Sequence, residues 1–252
     1  MKNKLNRLFA LSLVVFCFTI TVISKAEAEM FVSGYLGVAS THDSDVKLNR
    51  PGGTNLTFSD VSWDDNSFDP PLYYGLRVGY WFKNSPNWGT AIDLTHAKMY
   101  SELNKTVSVS GTRSGASVSD TERLGDTFEI LEFTDGHNLL TLNGMYRWTG
   151  LGDSEQKFIS RLQPYMLAGL GIAIPHVEVA VEGDTTLEFQ YTGLAALAGV
   201  GLDIDITRWF SLFAEYRLSY SEIDADLVGG GTLKTKPWTH HLNFGVTFSF
   251  LH

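Results

Sequence analysis

The sequence predicts an all-β chain, an eight-stranded antiparallel transmembrane β-barrel of the up-and-down kind. Three observations predict it. The stretch 240–250 alternates strictly, with Leu242, Phe244, Val246, Phe248 and Phe250 on one face and His241, Asn243, Gly245, Thr247 and Ser249 on the other. A period of two is that of a strand with one apolar face. The N-terminus reads as an export signal. Along the chain, the face opposite each apolar stripe gathers charged and amide groups, which suits a narrow polar lumen and would be costly against lipid.

Eight strands are expected in order. The first covers 31–41. The second, 72–82, sets Tyr74, Leu76, Val78, Tyr80 and Phe82 against Gly75, Arg77, Gly79 and Trp81. The third, 88–100, sets Ile92 and Leu94 against Asp93 and Thr95, and the fourth, 138–148, sets Leu140, Leu142 and Tyr146 against Thr141, Asn143 and Arg147. The fifth, 162–174, alternates Gly169 and Gly171 with Leu170 and Ile172, and the sixth, 191–205, alternates Val200, Leu202 and Ile204 with Gly201, Asp203 and Asp205. The seventh, 209–220, opposes Leu212, Ala214, Tyr216 and Leu218 to Phe213, Glu215, Arg217 and Ser219. The eighth is the alternating C-terminal stretch.

The connections alternate in length. Those at 84–87 and 206–208 are tight and 149–161 is modest, whereas 42–71, 101–137, 175–190 and 221–237 are long. Short periplasmic turns and long extracellular loops are the asymmetry of outer-membrane barrels, and an even strand number returns both ends to the periplasm. The segment 108–119, rich in Ser, Gly and Thr, reads as a flexible loop. A soluble barrel would need an apolar interior. This chain sends Arg77, Asp93, Asn143, Arg147, Glu215, Arg217, His241 and Asn243 there instead. Eight strands leave room only for side chains, so these charges read as a structural network and not as an ion path. Aromatic residues near strand ends, among them Tyr80, Trp88 and Trp148, read as interfacial anchors.

Export follows from a basic start (Lys2, Lys4, Arg7), an apolar run over 8–23 and the small-x-small site Ala26-Glu27-Ala28. Residues 1–28 are expected to be removed, leaving 29–252 as one outer-membrane barrel domain of a Gram-negative bacterium. The single cysteine, Cys17, falls inside the leader, so disulfides and thiolate sites are excluded from the mature chain. Losing four basic residues and Glu27 moves the formal charge from −9 to −12. That balance argues against nucleic acid and fits divalent cations or basic partners.

Imidazoles and carboxylates gather near the outer ends of the strands: His96, then Glu132, Asp135 and His137, then His176 and Glu178, then Asp224 and Asp226, and finally Lys234, Lys236, His240 and His241. Such groups are ligands for iron, zinc or manganese, and a histidine near a carboxylate serves as a general base. The competing interpretation is a set of solvated loop residues that bind bridging cations. No His-x-x-x-His spacing, Gly-x-Ser-x-Gly elbow or Gly-rich phosphate loop occurs.

The pattern Pro164-Tyr165-x-x-x-Gly169-x-Gly171 and the closing aromatic strand resemble OmpA-like and opacity-type outer-membrane barrels across the whole mature chain. A narrower resemblance rests on Trp88-Gly89, Asp93-x-Thr95-His96-Ala97-Lys98 and Leu131-Glu132-Phe133-Thr134-Asp135-Gly136. It continues through Leu139-Leu140-Thr141-Leu142-Asn143-Gly144, Pro175-His176-Val177-Glu178 and Asp224-Ala225-Asp226-Leu227-x-Gly229-Gly230-Gly231. These segments are similar to lipid A oxidases. That resemblance implies oxidation of the proximal glucosamine of lipid A to 2-aminogluconate with molecular oxygen and a divalent metal, and it assigns no catalytic residues. The insert 104–127 and the ending Phe250-Leu251-His252 depart from the family pattern.

Joined to the residues, the resemblance makes His96, Glu132, Asp135, His176, Glu178 and Asp224 the catalytic candidates, with His96, His176 and Glu178 as metal candidates. The expected partners are lipopolysaccharide, through its lipid A, and the outer-membrane assembly machinery. A monomer is expected. The alternative function is a non-enzymatic structural or adhesin-like surface barrel.

Overall fold

The computed structural model describes residues 29–149 and 158–250. The expected export signal and part of the 149–161 connection lie outside them. In chain order the first strands are β1 (Glu29–Thr41), β2 (Ser44–Arg50), β3 (Thr54–Val61), β4 (Trp63–Asp64), β5 (Tyr74–Phe82) and β6 (Ser85–Ser101). There follow β7 (Thr106–Arg113), β8 (Ala116–Arg123), β9 (Phe128–Arg147), β10 (Leu162–Ala173), β11 (His176–Val181) and β12 (Asp184–Phe189). The last are β13 (Gly193–Thr207), β14 (Phe210–Ser221), β15 (Ile223–Asp226), β16 (Thr232–Thr235) and β17 (Trp238–Phe250).

Eight of these close a barrel in the order β1-β5-β6-β9-β10-β13-β14-β17, every neighbour antiparallel. Closure comes from β17 on β1, in register from Met30↔Phe250 to Thr41↔Thr239. Even-numbered residues of the wall point outward. Leu142, Leu170, Leu194, Val200 and Phe244 are 57–73% exposed there. Contiguous apolar exposure on this scale marks a surface that water does not cover, here the lipid-facing belt.

Odd-numbered residues fill the lumen. Arg77 donates to Asp93 (2.7 Å) and to both oxygens of Glu215 (2.8 Å), and Arg217 donates to Asp93 (3.2 Å) and Glu215. Tyr35 donates to Asp93 (2.6 Å) and Tyr165 to Glu215 (2.8 Å). Two guanidinium groups thus alternate with two carboxylates, so each buried charge has a partner of opposite sign. The polar interior read from the sequence is this network.

The outer half of the chain departs from the reading of long loops. Strand β9 begins ten residues before the expected start at 138. The segment 108–119 is strand rather than flexible loop, split between β7 and β8 in register from Thr106↔Arg123 to Arg113↔Ala116. A six-stranded sheet, in the order β15-β16-β2-β3-β7-β8, stands on the barrel's outer end. The reason is a second apolar core. Val46, Leu48, Leu56, Phe58, Val107, Val109, Phe133 and Val179 alternate with polar neighbours and are 7% exposed or less. Each buried side chain of this size is worth about 1.5–3 kcal/mol, enough to draw polar-looking segments into strands. Turns with positive φ at Gly52, Gly53, Ser114, Gly115, Glu182 and Gly183 reverse the chain between them.

The molecule therefore has a polar core in the membrane and an apolar core outside it. Val109→Ala removes two buried methylene equivalents from the outer core and is expected to cost about 1–2 kcal/mol. The check is protease added to intact vesicles: cutting within the outer sheet should accelerate while the barrel keeps its folded gel mobility.

Candidate functional site

The bulge between Ala97 and Met99, opposite β9, opens the barrel's outer end. Beyond it β9 continues upward and pairs with β11, placing Glu132 opposite Glu178. Val177, Val179, Leu131 and Phe133 turn inward to the outer core. Alternation therefore turns Glu132, Thr134, His176 and Glu178 outward, on the same side as the belt leucines. His176 opens β11, past Ile174 and Pro175, which follow the last residue of β10, Ala173. Leu187 and Phe189 on β12, opposite Glu178 and His176, are 58% and 55% exposed and extend an apolar surface beside the cluster.

Asp135, His176 and Glu178 come together. One donor atom from each lies within 4.8 Å of the others. His176 Nδ1 is 3.0 Å from Glu178 Oε1 and 3.8 Å from Asp135 Oδ2. Ligands about 2.0–2.2 Å from one ion stand about 3–4 Å apart, so the spacing fits a divalent cation. Glu178 Oε1 also accepts from Thr134 Oγ1 (2.6 Å) and from the Asp135 amide (3.2 Å), which fixes its carboxylate. Sequence reasoning missed Thr134, because a threonine in a strand carries no distinctive signal.

Burial opposes ionisation of Glu178, but the bonds from Thr134, His176 and the Asp135 N–H outweigh it and hold its pKa below the ordinary value. Glu132 moves the other way: burial, then the charge and hydrogen bond of Glu178, raise it. The pair therefore ionises in sequence, Glu178 first. Stability from Glu178 is present above its unfolded pKa and is lost as pH falls through the lowered folded value. Glu132 adds its charge beside the cluster only once its raised pKa is passed. Cation affinity should therefore climb with pH as Glu132 ionises above the ordinary glutamate range, a rise that titrations from about pH 4 to 7 would show.

Two sequence candidates stand apart. His96 faces outward one step above the belt, stacked on Tyr74 (4.6 Å between rings), with Nδ1 donating to Asn138 Oδ1 (2.9 Å). Its Nε2 is buried without a hydrogen-bond partner. Asp224 sits in the outer sheet and is paired with Lys234 (2.7 Å). His241 points into the lumen, between Tyr73 and Ser219, and not to the rim. Gly136 links His96 to the cluster. Its φ is +129°, and a Cβ there would lie 2.7 Å from His96 Nδ1. Gly136→Ala is expected to part His96 from Asn138 and shift Asp135, lowering cation affinity about tenfold with every ligand still present. Cation titration of the folded variant checks this.

The model of the outer membrane protein β-barrel domain matches residues 31–250, nearly all of the chain. The chain belongs to this family. Several solved structures are similar to this outer-membrane barrel. Neisserial surface protein A is 16% identical, with 88% of this chain and 97% of that chain covered and a TM-score of 0.44. OprG from Pseudomonas aeruginosa is 16% identical, covering 88% and 97%, at 0.42. Ail, the attachment invasion locus protein of Yersinia pestis, is 15% identical, covering 88% and 99%, at 0.38. No curated protein matches the outer-membrane barrel.

Proposed function

We propose that this outer-membrane barrel holds a divalent cation at Asp135, His176 and Glu178 and acts there on the headgroup of lipid A. The observation that carries the proposal is orientation. The cluster faces outward, above the apolar belt, where the sugars of an outer-leaflet glycolipid lie. It faces neither the lumen nor the outer core.

The resemblance to lipid A oxidases supplies the reaction. Two electrons and two protons leave C1 of the proximal glucosamine hemiacetal and pass to molecular oxygen, giving hydrogen peroxide and a lactone that water opens to 2-aminogluconate. A bound redox metal supplies electron transfer and polarisation of oxygen ligands. His176, held by Glu178, presents a fixed imidazole to the lipid side. Glu132, which keeps its proton to higher pH than an ordinary glutamate, stands beside the cluster as a proton donor and acceptor.

The test incubates purified protein with 1-dephosphorylated lipid A and oxygen, with and without chelator. The reading expects a mass gain of one oxygen atom that chelator abolishes. Unchanged mass in every condition rejects the chemistry. Retained cation binding alongside unchanged mass would favour the alternative of a structural surface barrel whose rim bridges lipopolysaccharide.

A further inference from the structure

The barrel wall has a gap. Strand β5 is nine residues long, against thirteen for β1 and seventeen for β6. Its pairing with β1 stops at Leu36↔Tyr74, so β1 has no strand partner on that side above Leu36. The segment 65–73 crosses the opening instead. Ser67 Oγ accepts from the Ala39 amide (3.0 Å), and the Asp69 carbonyl accepts from Lys98 Nζ (2.7 Å). Tyr73 drops into the lumen, and its hydroxyl shares a hydrogen bond with His241 Nδ1 (3.0 Å).

This segment stands off the wall and leaves a crevice of about 180 Å³ on the outward face. Leu36, Val38, Phe68, Leu72, Leu242 and Phe244 line it. Phe68 is 78% exposed, a large apolar ring held out where water would penalise it. An apolar cavity of about 150 Å³ already admits benzene, so the crevice has room for the end of a hydrocarbon chain. Its floor is continuous with the lipid belt through Leu36, Leu242 and Phe244. It lies toward the outer end of the wall, since β1 runs outward from Met30 and β17 runs inward from Trp238.

We infer that this crevice binds one acyl chain of a lipid A molecule. The occupant is a lipid because the crevice opens into the hydrocarbon of the belt. It is lipid A because the depth is that of the outer leaflet. The mouth agrees: above Val38 and Leu242, His42 Nε2 lies 2.6 Å from His240 Nε2, and the Tyr216 hydroxyl lies 2.5 Å from His240 Nδ1. These polar groups meet a sugar–phosphate headgroup. On the other side Lys98 lies 5.5 Å over the Tyr100 ring, and Tyr100 is opposite Glu132. The crevice, on β17 and β1, and the cation cluster, on β9 and β11, thus lie on opposite sides of the eight-stranded wall. The identity of the lipid rests also on the proposed function.

The experiment is native mass spectrometry of the full mature barrel released from micelles containing lipid A, repeated with phosphatidylethanolamine. Wild type is expected to retain one lipid A and little phosphatidylethanolamine. Val38→Trp and Leu72→Trp fill the crevice from opposite sides, and each should lower the retained fraction about tenfold. Leu142→Trp, on the open belt, should retain as much as wild type. Heat-modifiable gel mobility identifies folded variants, and either filled variant suffices. Equal retention in a folded filled variant overturns the inference, as does a wild type that retains no lipid or prefers phosphatidylethanolamine. Retained lipid of unchanged mass would uphold the crevice and reject the oxidation, so the two failures are separable.

Discussion

Glu178→Gln is expected to lower divalent-cation affinity at least about 100-fold while leaving the barrel folded. Replacing groups that merely support ligands costs about 10–100-fold, and Glu178 is both a ligand candidate and the group that fixes the others. It accepts from Thr134, from His176 and from the Asp135 amide. The amide side chain is nearly isosteric, so packing survives, but the charge that attracts the cation is gone. Thr134→Val supplies the graded case. It removes one hydrogen bond to the carboxylate and should weaken binding about tenfold. Titration of Mn²⁺ into the reconstituted protein, read by loss of its free spin-resonance signal, measures both. Equal affinity in wild type and Glu178→Gln would mean that the cluster is not the site.

Glu215→Ala is expected to destabilise the barrel by about 3–5 kcal/mol. The change leaves Arg77 and Arg217 facing one another in the lumen with Asp93 as their sole carboxylate, and stranding a buried charge costs on this order. Tyr165 also loses its acceptor. Glu215→Gln keeps one acceptor oxygen without the charge and should fall between wild type and Ala. The double change Glu215→Ala with Arg77→Leu removes one charge of each sign and should recover part of the loss. Urea midpoints of the folded gel band give the series. A single mutant as stable as wild type would show that water penetrates the lumen and screens these charges.

The barrel was legible because one physical rule governs every wall strand: lipid outside, side-chain network inside. Arg77, Asp93, Glu215 and Arg217 announce their face by charge alone. The outer sheet was not legible because its strands are short and their polar faces meet water. Val107 and Val109 alternate within a run rich in Ser and Gly, and their apolar partners, such as Leu48 and Phe58, lie far away in sequence. Composition outvoted a short period-two signal that only tertiary packing makes decisive.

The candidate site was legible in chemistry but not in geometry. Residue type picked out Asp135, His176 and Glu178 on two segments, and register β9–β11 brought them together. The same criterion picked out His96 and Asp224, yet one is occupied by Asn138 and Tyr74 and the other by Lys234. The crevice left no sequence signal, because it arises from the short length of β5 relative to its neighbours.

The central claim is that an outward-facing cation cluster works on the lipid beside it. Its most direct test is the mass of 1-dephosphorylated lipid A after incubation with oxygen and Mn²⁺, comparing wild type and Glu178→Gln side by side in the same vesicles. The account expects the oxygen-atom gain with wild type and its loss in the variant. Equal conversion by both proteins, or conversion by neither, would contradict it.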